Sequence, residues 1–151
     1  MPAPAGETVH ASAVLLGERA VLIRGPAGSG KSRLAWALVE AGRAGSVPYA
    51  RLVADDRVRI FAADGRLLAA APEAIRGMIE MRGLGLRRVD CEPLARVGLV
   101  VDLAAKDGAR LPEPRIGEAE ILGIKLPRLA IAAGEEAFPL VMARISSAAA
   151  A

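Results

Sequence analysis

A chain of 151 residues that is 53% hydrophobic and 25% charged has enough apolar surface for one core, and with 3% aromatics that core must be assembled from Ala, Leu, Val and Ile. No apolar run reaches the roughly 18 to 20 residues of a membrane span, residues 1–8 lack the basic-then-apolar pattern of a signal peptide, and a single cysteine, Cys91, excludes an intrachain disulfide and a cysteine-based zinc site, so a cytoplasmic setting is expected. The formal charge of +3 is dispersed along the chain without a basic run, which argues against nucleic-acid binding and suits a phosphate-bearing substrate or an acidic partner.

In chain order, residues 13–16 and 20–24 read as two short strands around a Gly17-Glu18 turn, the second a continuous apolar run suited to the middle of a sheet. Glycines interrupt 25–32. Leu34, Ala35, Leu38 and Val39 then recur at helical spacing over 31–42, and Gly42 is placed to end the helix. An apolar strand over 51–54 stops at Asp55-Asp56, and 58–61 with 67–70 flank Asp64-Gly65 as a hairpin. Pro72 opens a short helical turn over 72–75. The stretch 78–89 mixes Glu80, Arg82 and two glycines and does not read as ordinary core. Strands are expected over 97–103, 121–124 and 129–132, a proline-containing connector over 111–114, and a C-terminal helix over 135–147 with Pro139 tolerated in its first turn. One domain spanning 1–151 is expected, flexible at 1–8 and 148–151.

Gly25-Pro26-Ala27-Gly28-Ser29-Gly30-Lys31-Ser32 satisfies the Gly-x4-Gly-Lys-Ser/Thr pattern between an apolar strand and a helix, the context that a phosphate-binding loop requires. Glycines let successive backbone N–H groups surround phosphate oxygens; the Lys31 ammonium is placed to neutralise the β- and γ-phosphates and the Ser32 hydroxyl to bind magnesium. An apolar strand ending in an acid is the general form of the second magnesium site in such proteins, and Leu52-Val53-Ala54-Asp55-Asp56 has that form with the acid doubled, which offers Asp55 beside the loop and Asp56 as a further metal ligand. The fold class is therefore α/β: a phosphate-loop domain with a mixed sheet, flanking helices and β-hairpins.

The chain has no Asn, no Gln and one His, His10. A Ras-type GTPase and a eukaryotic-type protein kinase are thereby excluded, and no Gly-x-Ser-x-Gly elbow accompanies His10 for a hydrolase triad. The loop by itself does not name a reaction; what the residues supply is a carboxylate beside it, Asp55, able to take a proton, and a cation or donor opposite it, His10 or Arg82, able to stabilise charge on a phosphoryl group.

Val9-His10-Ala11, the loop 25–32, Leu52-Val53-Ala54-Asp55-Asp56 and Glu80-Met81-Arg82-Gly83-Leu84-Gly85 resemble, in that order, the HPr kinase/phosphorylase family of bacterial serine kinases, over roughly 10–129. The Glu-x-Arg-Gly-Leu-Gly element separates this family from generic phosphate-loop proteins, and Ile121-Leu122-Gly123-Ile124 with Leu126-Pro127-Arg128 is similar to its closing segment. The resemblance implies an enzyme that uses ATP and magnesium to phosphorylate a serine of HPr, or of its nitrogen-branch relative, in the sugar phosphotransferase system. It implies Lys31 on the phosphates, Ser32 and Glu80 on the metal, Asp55 as proton acceptor, His10 as the active-site histidine, and Arg110 as the approximate counterpart of a catalytic arginine. It further implies a homo-oligomer, of which the hexamer is the family's form, and the short version of the family without an N-terminal domain. Where the family carries Pro-Val-Arg-Pro-Gly-Arg, associated with the reverse reaction on inorganic phosphate, this chain reads Ile131-Ala132-Ala133-Gly134-Glu135-Glu136, with two acids in place of two cations, so the resemblance leaves reverse phosphorolysis open. The phosphate loop taken alone also permits a small-metabolite kinase or a catalytically silent nucleotide sensor.

Overall fold

Aliphatic runs that are buried on both faces build the centre of the molecule. The computed structural model describes residues 6–108 and 117–147. Within them the elements are β1 (Gly6–Val9), β2 (Ala11–Leu16), β3 (Arg19–Arg24), α1 (Lys31–Arg43), β4 (Ala50–Ala54), β5 (Val58–Ala63), β6 (Arg66–Ala70), β7 (Met78–Met81), β8 (Gly85–Arg88), β9 (Leu94–Asp102), β10 (Glu118–Ile121), β11 (Ile124–Ala130) and α2 (Ala137–Ser146). Nine strands form one mixed sheet in the order β1-β5-β6-β9-β3-β2-β4, extended by β11 on β9 and β10 on β11, while β7 and β8 pair only with each other.

The centre is β9. It runs parallel to β3 along one side, and on the other it pairs first with β6, antiparallel, and then with β11, parallel. Two partners share one flank of a single strand and the sheet curls, with the β1-β5-β6 wing coming over β2 and β4 and sharing one core with β10-β11. Alternation in β3 then sends Ala20 and Leu22 into a core enclosed by the curled sheet, and Val21 and Ile23 into a second core under the helices. Leu34, Ala35, Leu38 and Val39 form the buried stripe of α1 on that second face, where Val141 of α2 also packs. Full burial of one such leucine contributes roughly 2 kcal/mol.

Several expectations shift. The stretch 121–124 is not a strand but the tip of a hairpin: Ile121 pairs with Ile124, and Leu122 and Gly123 have φ of 50° and 79°, as a type I′ turn requires. The strand expected over 129–132 lies earlier, as β11. The mixed segment 78–89 is the β7–β8 hairpin, and its Ile79 is buried in the core under α1. Residues 6–9, ahead of the first expected strand, form β1 along β5. The C-terminal helix begins two residues late, with Pro139 in its first turn as expected.

Gly42 does not end α1. The helix continues through Arg43 and is closed by Ala44 and Gly45, whose N–H groups and that of Ser46 return to the carbonyls of Glu40, Gly42 and Ala41, respectively. The reason for a glycine at 42 is contact: a Cβ there would lie 2.4 Å from Ala50 Cβ, at the start of β4. An unobstructed helical glycine gains about 1 kcal/mol on replacement by alanine, whereas Gly42→Ala is expected to lose about 1–3 kcal/mol in urea unfolding, because α1 must move off β4. Unchanged or raised stability would contradict this packing.

Candidate functional site

The strand β2 lies antiparallel between β3 and β4, so those two run the same way and deliver their C-terminal ends, with the N-terminal end of β2, to one edge of the sheet. The loop 25–32 leaves β3 at this edge and enters α1. Gly30, the residue before the helix, has φ of 101°, a left-handed conformation that a β-carbon would strain. At Gly25 a side chain has no room, since a Cβ would stand 2.5 Å from Ser29 Oγ and 3.2 Å from the Leu103 carbonyl oxygen. Lys31 Nζ arches over the loop and donates to the carbonyls of Gly25 (2.9 Å) and Pro26 (3.2 Å). Ser29 Oγ is buried inside the loop without a hydrogen-bond partner among the described residues. Such a ring of inward groups at a helix N-terminus suits phosphate oxygens.

Asp55 follows β4 and is 4% exposed. Its orientation depends on a β-bulge. The β2–β4 register shifts between Ala13, opposite Ala54, and Val14, opposite Leu52, which leaves Val53 as an extra residue. Val53 and Ala54 both enter the core enclosed by the curled sheet, and the next side chain, Asp55, returns to the α1 side. There Ser32 Oγ donates to both carboxylate oxygens, at 2.7 and 2.9 Å. Ser12 Oγ donates to Oδ1 at 2.7 Å and the Glu80 N–H to Oδ2 at 3.2 Å. One buried carboxylate thus joins the phosphate loop, the sheet and the β7–β8 hairpin.

The structure therefore brings together Lys31, Ser32, Asp55 and the backbone of Glu80. The Glu80 side chain is exposed, as is that of Arg82, which makes no hydrogen bond or ion pair among the described residues. His10 and Asp56 stand side by side at the same edge, Nδ1 to Oδ1 3.9 Å, with side chains 77% and 67% exposed. Arg110 lies outside the described residues. Ser12 escaped the sequence reading; its signal is a lone hydroxyl within the apolar run Ala11-Ser12-Ala13-Val14-Leu15. Beside the loop, Gly28, Gly30, Arg33, Ile131, Glu135 and Phe138 line a cavity of about 660 Å³.

The family model described as HPr Serine kinase C-terminal domain matches residues 4–145. The chain belongs to this family. It is 40% identical over 123 residues to the HPr kinase/phosphorylase of Geobacillus thermodenitrificans (strain NG80-2), covering 74% of this chain and 37% of that protein. It is 37% identical over 135 residues to the HPr kinase/phosphorylase of Caldicellulosiruptor bescii, covering 82% and 41%. The chain thus spans about two fifths of the length of these relatives. The solved structure of the Hpr(Ser) kinase/phosphatase from Coxiella burnetii shares the fold, with a TM-score of 0.74 at 24% identity over 93% of this chain and 88% of that one.

This member of the HPr kinase family carries a second polar cluster at the same sheet edge, which sequence reading also missed although Leu99-Val100-Val101-Asp102 is again an apolar strand ending in an acid. Asp102 accepts two hydrogen bonds from Arg24, at 2.7 and 2.9 Å, and one from Arg128 at 2.5 Å, while Arg128 also clasps Asp107 at 2.8 and 2.9 Å. Arg24 immediately precedes the loop and its carbonyl accepts the Leu103 N–H, so the cluster ties the root of the loop to β9 and β11. Burial pushes the Asp102 carboxyl up, but the guanidinium groups of Arg24 and Arg128 outweigh it and hold the carboxyl below its ordinary value of 3.8. The depressed value makes Asp102 a source of stability that is complete above pH 3.8 and lost as pH falls through the lower folded value. Asp102→Asn is expected to cost about 2 kcal/mol near pH 7, with the gap to the parent narrowing as the pH falls below 3.8. A gap independent of pH would contradict the ion pairing.

Proposed function

We propose that this chain is an ATP- and magnesium-dependent protein serine kinase that phosphorylates an HPr-type phosphocarrier. The observation that carries the reading is the Ser32–Asp55 contact: a phosphate-loop hydroxyl and a buried carboxylate meet at one point, so a phosphoryl donor in the loop and a hydroxyl acceptor near Asp55 would be in line. Family membership supports the same reading, since the relatives are named for action on HPr.

Loop N–H groups and the Lys31 ammonium would hold the β- and γ-phosphates, Lys31 exchanging the Gly25 and Pro26 carbonyls for phosphate oxygens. The bond between the γ-phosphorus and its bridging oxygen breaks, leaving ADP. A bond forms from the acceptor serine oxygen to that phosphorus, and the serine proton passes to Asp55. Ser32 and Asp55 supply hard oxygen donors that fit magnesium, with Glu80 and Asp56 as further carboxylates near the same edge. When bound, magnesium neutralises charge on the phosphates. Arg82 is a cation and His10 a hydrogen-bonding group available to the transferring phosphoryl, and the cavity beside Gly28 and Arg33 is the space available for the nucleoside. Glu135 and Glu136 line that cavity where cations would be needed to draw in inorganic phosphate, so the reaction runs as a kinase without efficient phosphorolysis. A cytoplasmic location and assembly into a homo-oligomer, the hexamer included, belong to this reading.

Incubated with magnesium ATP and HPr, the parent protein is expected to add one phosphoryl group to a serine, seen by mass spectrometry. Lys31→Ala and Asp55→Asn are each expected to lower the rate by about a thousandfold or more, both with weakened binding of magnesium ATP, since one loses the phosphate cation and the other a carboxylate beside the ion. Nucleotide binding with no modified HPr would contradict the proposal. Adding inorganic phosphate to phosphorylated HPr is expected to release little pyrophosphate, and rapid release would contradict the role given to the two glutamates.

A further inference from the structure

We propose that Ser12 is a positioning residue for phosphoryl transfer: its hydroxyl fixes the carboxylate of Asp55 from within the sheet. The inference rests on the reading of Asp55 as proton acceptor and extends it to a residue with no part in the loop or in the hairpin.

The side chain of Ser12 is 0% exposed, and a buried hydroxyl is costly unless both its donor and its acceptor capacity are used. Both are. Its proton goes to Asp55 Oδ1 at 2.7 Å, and its oxygen accepts the Asp56 N–H at 3.4 Å, so one side chain holds the carboxylate and the backbone of the turn that follows it. Asp56 has φ of 68°, a left-handed conformation that non-glycine residues adopt only when neighbours impose it.

The three donors to Asp55 are not equivalent. Ser32 belongs to the loop that must accommodate the nucleotide. The Glu80 N–H belongs to β7, whose hairpin pairs with no strand of the main sheet among the described residues and is tied to it by backbone hydrogen bonds only beyond β8, where Asp90 and Glu92 bond to Leu52 of β4. Ser12 sits on β2, paired with β3 on one side and β4 on the other, directly across from Ile23. It is therefore the donor anchored in the most rigid element, and the one that stays in place when the loop or the hairpin adjusts to a ligand. The bulge that turns Asp55 to the α1 side also brings it to the face on which Ser12 and Val14 lie. A misplacement of the accepting carboxylate by about 1 Å is enough to slow transfer by roughly a hundredfold, and this is the displacement that Ser12 prevents.

Ser12→Ala, Ser12→Thr and Asp55→Asn are compared with the parent chain for binding of magnesium ATP by calorimetry, for transfer to HPr, and for slow hydrolysis of magnesium ATP without any protein acceptor, in which water replaces the serine. Ser12→Ala is expected to lower kcat about ten- to a hundredfold in both reactions, with the KM for HPr and the nucleotide Kd within about twofold of the parent. Ser12→Thr, which keeps the hydroxyl, is expected to recover most of the rate, and Ser12→Cys, a weaker donor with a larger atom in the same place, part of it. A kcat for Ser12→Ala within about twofold of the parent, beside an inactive Asp55→Asn, overturns the proposal, as does a loss confined to nucleotide binding. A parent chain that hydrolyses ATP but leaves HPr unmodified refutes the acceptor, and the ratio of hydrolysis rates between Ser12→Ala and the parent then decides the role of Ser12 by itself.

Discussion

A carboxylate taken out of water must be surrounded by donors, and Asp55 is such a carboxylate. The desolvation of an ion costs several kcal/mol even after the protein relaxes, so Asp55 at 4% exposure holds its place only because two hydroxyl groups and a backbone N–H point at it. Those donors come from three separate parts of the chain: the first residues of β2, the end of the phosphate loop, and the β7–β8 hairpin. Their shared demand for one acceptor is what draws a loop, a sheet and a hairpin to a common point, and that point is where chemistry on a phosphoryl group needs a base and a metal ligand together.

The sheet makes the convergence possible. Strand β2 runs antiparallel to both β3 and β4, and the crossover that joins those two passes through the loop and α1, so the ends of two like-directed strands and the start of the opposed one share an edge. One strand further along, β9 repeats the arrangement parallel to β3 and ends in Asp102, which binds Arg24 at the root of the loop. The two aspartates divide the work. Asp102, bracketed by guanidinium groups, is committed to ion pairs that hold the frame of the loop, whereas Asp55 is held by two hydroxyl groups and one backbone N–H and pairs with no cation among the described residues.

Much of this was legible in the sequence, and the reasons differ by element. The loop, α1 and the strand leading to Asp55 announce themselves because a phosphate cradle needs glycine at fixed offsets and a helix needs an apolar stripe; the order of the motifs then pointed to the family to which the chain belongs. The tip at Leu122-Gly123 was misread as strand because Ile121 and Ile124 bracket it with β-branched residues, and the reversal lies in two backbone dihedrals rather than in composition. Gly42 was read as a stop because a glycine near a helix end usually is one, while its cause, the contact with Ala50, is tertiary. The bulge at Val53 left no local mark: plain alternation from Leu52 puts Asp55 on the wrong face, and only the pairing of β4 with β2 reveals the extra residue. Ser12 and the partners of Asp102 went unread for the same reason, since a hydroxyl in an apolar strand and an arginine before a loop acquire meaning from residues more than forty positions away.

The central claim is that Ser32 and Asp55 form one site at the mouth of the phosphate loop. A crystal structure of the chain with magnesium and a non-hydrolysable ATP analogue tests it most directly. The account predicts phosphate oxygens against the N–H groups of residues 28–32, Lys31 on the β- and γ-phosphates, and the ion between Ser32 Oγ, the phosphates and the side of Asp55. Phosphates bound elsewhere, or an ion held away from both Ser32 and Asp55, would contradict it.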